Sequence, residues 1–315
     1  MNVILLFPGQ GSQKPGMGKD LAAAFPAARD VFARIDDALG VALSTLCFEG
    51  PADELTATKN AQPALFAHGA AAWAVVRDAL APHVVAAAGH SLGELTAHHA
   101  ANSFALDAGA RLVHQRGQAM FDIGSERPGT MAAILGALST PIDTICDRAT
   151  TEAGLVVPAN YNTAEQTVVS GEIAGVERAM ALAKEAGAKR AVRLSVSGAF
   201  HSPLMRPAEI VFSSAIGRVE FTNPVFPVYS NVTQAPVTTA AVARDVLLRQ
   251  LTSPVRWMGE VRAMADAFPD ALYVELGPGN VLSGLVSRIV PGARTMTCGT
   301  AQDVDALMTT LATQV

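Results

Sequence analysis

The sequence has 315 residues, of which 50% are hydrophobic and 16% charged, so the chain has enough apolar material for a sizeable core and is not a disordered protein. No apolar run approaches the roughly 18 residues of a membrane span, and we expect a soluble, cytoplasmic protein without a membrane partner. The formal net charge of −5 comes with scattered basic residues, which does not favour binding to nucleic acid. Three distant cysteines without CxxC spacing predict neither a disulfide framework nor a metal site.

Most of the chain alternates short β-rich runs with Ala-rich helical runs, which predicts an α/β fold with a mostly parallel sheet. The predicted strands of this part cover residues 3–7, 84–88, 227–231, 272–276 and 294–297. The predicted helices cover residues 20–39, 63–80, 92–101, 107–121, 240–251 and 281–289.

The middle of the chain follows a different order. After a run of helix breakers at 124–130, the pattern predicts strand, helix, strand, strand, helix and strand over residues 131–135, 141–153, 155–160, 166–170, 173–186 and 189–195. This β-α-β-β-α-β order is typical of a ferredoxin-like unit. We therefore predict a larger unit of residues 1–126 and 197–315, interrupted by a ferredoxin-like one at 127–196, with a ligand cleft between them.

A candidate nucleophile, Ser91, lies in the sequence GHSLG at residues 89–93. This run follows a predicted strand and begins a predicted helix, which is the context of the G-x-S-x-G nucleophile elbow. At the N-terminus of a helix, free N–H groups and the helix dipole favour developing negative charge. The alternative is a Gly-bounded turn with an incidental serine, and the strand–turn–helix context favours the nucleophile.

A serine nucleophile needs a base, and histidine is the usual one. His90 adjoins Ser91, but neighbours on a sharp turn point apart. His201 follows the predicted ferredoxin-like unit in a loop of small residues, so it would enter the cleft, and it follows the serine in the order of α/β hydrolases. The remaining histidines are expected on the surface or as satisfied core residues: His68, His83, His98, His99 and His114. No acidic residue is evident as a third member, and a backbone carbonyl could orient the imidazole.

Two further features fit acyl chemistry. An oxyanion hole needs N–H donors, and these are expected from Leu92 and from the Gly-rich loop at residues 8–13. Arg116 lies within the apolar stripe of its predicted helix, and a guanidinium facing the interior requires an anion. The anion is either a substrate carboxylate or an internal Asp or Glu, and the residue pattern leaves both possibilities open.

With these residues in place, the chain closely resembles the malonyl-CoA:acyl carrier protein transacylases and the related acyltransferase domains of polyketide synthases. Seven separated motifs carry the resemblance over nearly the whole length. They are FPGQGSQ (7–13), QPA (62–64), GHSLGE (89–94), QRG (115–117) with Met120, FHSPLM (200–205), SPVRW (253–257) and ELGPG (275–279).

The resemblance implies a hydrolase-like parallel-sheet large subdomain with an inserted ferredoxin-like (βαββαβ) small subdomain. It implies that Ser91 is acylated by malonyl-CoA and that His201 acts first as general base and then as general acid. Backbone N–H groups of Gln10 and Leu92 would form the oxyanion hole, and Arg116 would bind the malonyl carboxylate.

The resemblance also assigns two supporting residues. The backbone of Gln250 would orient the histidine, and Phe200 looks like the choice of malonyl-type enzymes, because methylmalonyl-type relatives tend to have a smaller residue there. The substrates implied are malonyl-CoA and an acyl carrier protein of fatty acid or polyketide biosynthesis, with no bound cofactor.

Two other functions remain as alternatives. A thioester hydrolase could use the same serine and histidine, but a hydrolase of ordinary acyl chains has no use for a buried Arg116. A catalytically silent docking module is the second alternative, and the intact serine, histidine and arginine argue against it.

Overall fold

A computed structural model describes residues 1–196 and 198–313 of the chain. Its strands, in chain order, are β1 (Val3–Phe7), β2 (Val84–Gly89), β3 (Thr130–Leu135), β4 (Val156–Thr163), β5 (Gln166–Gly171), β6 (Arg190–Arg193), β7 (Val228–Tyr229), β8 (Pro236–Val237), β9 (Leu272–Glu275) and β10 (Arg294–Thr297). They form a six-stranded sheet in the order β10-β9-β1-β2-β7-β8 and a four-stranded sheet in the order β4-β5-β3-β6.

The helices cover the remaining regular structure. They are α1 (Lys19–Ala24), α2 (Pro26–Leu39), α3 (Leu43–Glu49), α4 (Ala52–Thr56), α5 (Thr58–Leu80), α6 (Leu92–Ala100), α7 (Leu106–Glu126), α8 (Ile142–Ala153), α9 (Ile173–Glu185), α10 (Arg206–Ile216), α11 (Ala240–Arg249), α12 (Trp257–Ala267), α13 (Val281–Ile289) and α14 (Ala301–Ala312). Two short 3₁₀ turns lie at Ala81–His83 and Pro203–Met205.

The centre of the larger sheet positions the site. Strand β1 is buried along its whole length and pairs in parallel with both β2 and β9. Its last residue, Phe7, is in register with Gly89 at the end of β2. Because parallel strands end at the same edge of a sheet, the loop after Phe7 and the turn after Gly89 lie side by side.

The smaller sheet is antiparallel throughout and forms the second layer of the fold. Helices α8 and α9 cover one of its faces, with a separate apolar core that includes Ile134, Ile145, Val169 and Val176. The predicted fold class is therefore confirmed: a mainly parallel sheet is interrupted by a βαββαβ unit. The subdomain boundaries stay a prediction, and Ser197 and residues 314–315 of the second predicted segment lie outside the described residues.

Several predicted elements differ from the observed ones for local reasons. The helix predicted over 20–39 is broken at Phe25, which is extended, because Pro26 can begin a helix but cannot continue one. The helix predicted from Pro63 begins at Thr58, so Pro63 lies inside it. The helix predicted to end at 121 continues to Glu126. The sequence patterns did not reveal α3, α4, α10, α12 and α14.

Over the described residues, no helix combines the length and apolar character needed to cross a membrane. All three cysteines are buried and free.

Two of the histidines expected on the surface or as satisfied core residues, His68 and His98, are fully buried, and in each only one ring nitrogen has a hydrogen-bond partner among the described residues. His68 Nε2 donates to the Gly299 carbonyl (2.8 Å), and His98 Nδ1 lies 3.0 Å from Ser103 Oγ. Burial lowers the pKa of His68 to about 4 and that of His98 to about 3. These imidazoles stay neutral in the fold at pH values where the unfolded chain protonates them. The free energy of unfolding therefore falls as the pH drops below about 6.5.

Replacing His98 by Gln is expected to weaken the pH dependence of the free energy of unfolding. The slope should fall by about 1 kcal/mol per pH unit between about pH 6 and pH 5, because the unfolded chain loses one proton-binding group. Urea unfolding at a series of pH values measures the slope. Ser103→Ala is the control: it removes the partner of His98 but no titrating group, so stability should fall equally at every pH. A slope equal to that of the wild type in His98→Gln would contradict a neutral, buried His98.

Candidate active site

Ser91 lies on a sharp turn between β2 and α6 with φ 52° and ψ −106°, a backbone conformation that is uncommon and strained for a residue other than glycine. The start of α6 approaches β1 so closely that a Cβ on Gly93 would lie 1.9 Å from the carbonyl oxygen of Phe7. Likewise, a Cβ on Gly9 would lie 2.3 Å from the carbonyl oxygen of His90. Glycine is therefore a steric requirement at both positions, and the strand–turn–helix context predicted from the sequence is present.

His201 meets this serine directly. Its Nε2 lies 2.8 Å from Ser91 Oγ, and its Nδ1 lies 2.9 Å from the carbonyl oxygen of Gln250 and 3.2 Å from that of Ser253. Since both carbonyls only accept hydrogen bonds, Nδ1 carries the proton and Nε2 is left as an acceptor for the serine O–H. A buried imidazole held in this tautomer can act as a base.

The charge state of His201 follows from its surroundings. Burial and then the positive charge of Arg116 lower its pKa to about 3, although the carbonyl of Gln250 acts in the opposite direction. The imidazole is thus neutral at neutral pH, as a base must be before it takes up a proton.

Arg116 is buried to 1% exposure and contacts the hydroxyl of Ser91. Its Nη2 donates to Ser91 Oγ (3.1 Å) and to Gln250 Oε1 (2.8 Å), while its Nη1 donates to Gln62 Oε1 (2.6 Å). Its Nε–H has no partner among the described residues, and none of their carboxylates lies within 4.0 Å of the guanidinium. The sequence left open a substrate carboxylate or an internal Asp or Glu as the partner of Arg116. Among the described residues, no Asp or Glu forms a direct ion pair with it.

The two backbone donors predicted for an oxyanion lie at adjoining positions. Gln10 follows β1 and Leu92 is the first residue of α6, beside the serine. Neither N–H donates to another group within residues 1–196 and 198–313. The side chain of Gln10 donates to Thr58 Oγ1 (3.1 Å), which fixes the loop against α5.

These groups surround a cavity of about 110 Å³. Its described lining residues are Gln10, Gln62, His90, Ser91, Leu92, Arg116, Met120, Met131, Asn160, Leu194, Val196, Phe200 and His201. Phe200 is 5% exposed and forms part of the apolar wall. A second cleft of about 260 Å³ shares four lining residues with the first, Gln10, His90, Asn160 and Leu194, and extends between the smaller sheet and α13.

Gln250, predicted for its backbone alone, also uses its side chain. The amide oxygen accepts from Arg116, and the amide nitrogen donates to Glu94 Oε2 and to the carbonyl oxygen of Ser91 (3.1 Å). It therefore connects the guanidinium to a carboxylate that the guanidinium does not touch. Burial raises the pKa of Glu94 to about 7, while the hydrogen bond from Gln250, and less strongly the charge of Arg116, acts in the opposite direction.

Three buried polar residues behind the nucleophile escaped the sequence reasoning: Glu94, Asn231 and Glu260. Glu94 ends the GHSLGE motif, so its place beside the elbow could have drawn attention to it. Asn231 and Glu260 offered no such signal, because they are distant in sequence and belong to no recognised chemical pattern. Burial and the nearby charge of Glu94 raise the pKa of Glu260 well above its usual range, which favours its neutral form.

Comparison with known proteins assigns the chain to a family. The family model of the acyl transferase domain matches residues 4–303. The chain belongs to the acyl transferase family. Among relatives of this acyl transferase, the malonyl CoA-acyl carrier protein transacylase of Bacillus subtilis (strain 168) is 40% identical, with 98% of this chain and 97% of the relative covered. The protein of the same name from Escherichia coli (strain K12) is 41% identical, with 90% and 92% covered.

Two solved structures of similar proteins match nearly the whole chain. An acyl-carrier-protein-S-malonyltransferase from Bartonella henselae has a TM-score of 0.93 and 41% identity, with 99% of this acyl transferase and all of that chain covered. A malonyl-transacylase solved in complex with its type II PKS acyl-carrier protein has a TM-score of 0.93 and 37% identity, with 98% and 100% covered. The similarity thus extends through both sheets.

Gly93→Ala is expected to destabilise the acyl transferase by about 1–3 kcal/mol and to reduce acyl transfer, because the new methyl group must displace the Phe7 carbonyl. Thermal unfolding and initial rates measure the two effects. Gly284→Ala is the matched control: Gly284 lies in α13 with open space around it, so alanine should raise stability by up to about 1 kcal/mol and leave the rate unchanged. Equal behaviour of the two variants would contradict the close approach of α6 to β1.

Proposed function

We propose that this acyl transferase moves a malonyl group from malonyl-CoA to the phosphopantetheine thiol of an acyl carrier protein, through a malonyl ester on Ser91. One observation carries the proposal: a single hydroxyl contacts both a neutral imidazole and a buried guanidinium that has no carboxylate partner among the described residues. The names of the relatives support malonyl-CoA as donor, and the solved complex of a similar enzyme supports the carrier protein as acceptor.

The first half-reaction acylates the enzyme. Ser91 Oγ attacks the thioester carbonyl while His201 Nε2 takes the hydroxyl proton. Negative charge develops on the carbonyl oxygen, where the free N–H groups of Gln10 and Leu92 receive it. The tetrahedral intermediate then collapses, the C–S bond breaks, and His201 returns the proton to the leaving CoA sulfur.

The second half-reaction uses the same groups in reverse. The pantetheine thiol of the carrier gives its proton to His201 as its sulfur attacks the malonyl ester. The same oxyanion donors hold the second intermediate. Its collapse breaks the bond to Ser91 Oγ, which takes the proton from His201, so the serine is regenerated and the malonyl group leaves on the carrier.

Arg116 selects the acyl group and also affects the base. A guanidinium binds a carboxylate with charge-assisted hydrogen bonds, so the free end of the malonyl group offsets a buried positive charge. That positive charge is one cause of the low pKa of His201. When the carboxylate binds, this electrostatic effect weakens and the pKa of the imidazole rises, so His201 becomes a stronger base when the malonyl group is in place.

The cavities fit this substrate. A volume of about 110 Å³ holds a short acyl group but not a long chain, and Phe200 would crowd a methyl branch next to the thioester. The adjoining cleft of about 260 Å³ leads away between the smaller sheet and α13, as an extended pantetheine arm requires. The reaction needs no bound cofactor, and we place it in fatty acid or polyketide biosynthesis in the cytoplasm.

The decisive experiment follows the malonyl ester. Incubation with malonyl-CoA should add one malonyl group to Ser91, detected by mass spectrometry, and a purified carrier protein should then remove it. Ser91→Ala should form no ester and should lose at least about 10³-fold in transfer rate. Ser125→Ala, an exposed serine on α7, is the matched control. Malonate released equally fast with and without carrier would indicate a hydrolase, and a wild-type protein that forms no ester would indicate a docking module.

Arg116→Ala is expected to lower kcat/KM for malonyl-CoA about 10²-fold and to raise the relative use of acetyl-CoA, because the carboxylate loses its charged partner. Competition between the two thioesters measures the selectivity. Arg111→Ala removes an exposed arginine from the same helix and should leave the selectivity unchanged. Unaltered malonyl kinetics in Arg116→Ala would remove Arg116 from carboxylate binding.

A further inference from the structure

The side chain of Asn231 contacts both ends of the nucleophile turn. Its Oδ1 accepts a hydrogen bond from the Ser91 N–H (2.8 Å), and its Nδ2 donates to the carbonyl oxygen of Gly89 (2.8 Å). Asn231 is completely buried and follows β7, the strand next to β2. A single amide therefore connects the two ends of the turn.

The other backbone groups of the turn are also occupied. The His90 N–H donates to the Phe7 carbonyl (3.0 Å), and the His90 carbonyl accepts from the Gly93 N–H (3.0 Å). The Ser91 carbonyl accepts from Gln250 Nε2 (3.1 Å). Among the described residues, the Leu92 N–H is then left without a partner, and it is the N–H next to the reacting oxygen.

The orientation of the Asn231 amide is fixed by its other neighbours. Nδ2 also donates to Glu260 Oε2 (2.8 Å), and Oδ1 also lies 3.2 Å from the amide nitrogen of Gln250. A flipped amide would place its N–H₂ against the Ser91 N–H and its oxygen against the carbonyl oxygen of Gly89. Only the observed orientation satisfies both ends of the turn.

We propose that Asn231 is a positioning residue for acyl transfer: its amide holds Ser91 at positive φ and so keeps the Leu92 N–H free for the oxyanion. The inference deepens the proposed function and rests on it. Ser91 has a strained backbone, and strain persists only where the surrounding contacts require it. Two hydrogen bonds from one buried side chain, one on each side of His90, meet that requirement.

Asn231→Asp tests this role with almost no change in shape. The aspartate keeps an oxygen for the Ser91 N–H but replaces the Nδ2 donor by a second oxygen, which faces the carbonyl oxygen of Gly89 and the carboxyl group of Glu260. A donor returns only when the aspartic acid is protonated. The charged or titratable groups around it are Glu94 from α6, Glu260 from α12, Arg116 from α7, and His90 and His201 from the adjoining loops. Burial and the two carboxyl groups favour the protonated form, and Arg116 opposes it.

At pH 8 we expect kcat of Asn231→Asp to fall about 10–100-fold with KM for malonyl-CoA changed less than about threefold, as for a misplaced reacting group. The ratio of variant to wild-type kcat should rise about tenfold between pH 8 and pH 6 as the donor is restored. Asn223→Asp is the matched control, because this exposed asparagine accepts a hydrogen bond from the Ala240 N–H and needs no donor. Its ratio should be independent of pH.

A ratio for Asn231→Asp that is near one, or that stays constant with pH in a folded variant, would overturn the positioning role. If this variant does not fold, amide hydrogen exchange of the wild type decides. The Ser91 N–H should exchange more slowly than the Leu92 N–H, and equal or reversed rates would overturn the proposal. Failure of the proposed function can be distinguished from failure of the positioning role, because in the former case the wild type would form no malonyl ester at all.

Discussion

The buried guanidinium of Arg116 is the constraint on which the rest of the site depends. Burying a charge without an opposite charge in contact is costly, and here amide oxygens of Gln62 and Gln250 supply the hydrogen bonds. Amides stabilise the cation but do not neutralise it, so the guanidinium keeps its affinity for a carboxylate. Burial lowers the pKa of Arg116 only to about 10, which leaves it charged at neutral pH. A direct ion pair with Glu94 would have removed this property.

Gln250 connects the imidazole of His201 to the guanidinium of Arg116. Its carbonyl receives the Nδ1–H of His201, while its amide lies between Arg116 and Glu94. A displacement of the end of α11 would therefore move the imidazole and the guanidinium together with respect to Ser91. This sharing explains how His201 and Arg116, two side chains from distant segments, converge on one hydroxyl, although each is held by only a few hydrogen bonds.

Local patterns in the sequence were sufficient to predict the turn, the two sheets and the candidate residues Ser91, His201 and Arg116. Each of these residues has a recognisable local pattern: Ser91 lies between glycines, His201 lies in a loop of small residues, and Arg116 lies within the apolar face of a helix. Asn231 and Glu260 have none, because their significance depends on which backbone groups fold against them. The same limit applies to α10 and α12, whereas the break at Phe25 could have been predicted from Pro26.

The two sheets supply different parts of the site. Ser91, the proposed nucleophile, and both predicted oxyanion donors come from the edge of the parallel sheet, where β1 and β2 end. Met131 of β3, with Leu194 and Val196 after β6, contributes apolar wall from the smaller sheet. His201 lies just beyond the return from that sheet, so the insertion also determines where its imidazole enters the site. Because the wall residues make none of the hydrogen bonds that hold Ser91, His201 and Arg116, the smaller sheet can change the shape of the acyl cavity while the reacting groups keep their geometry.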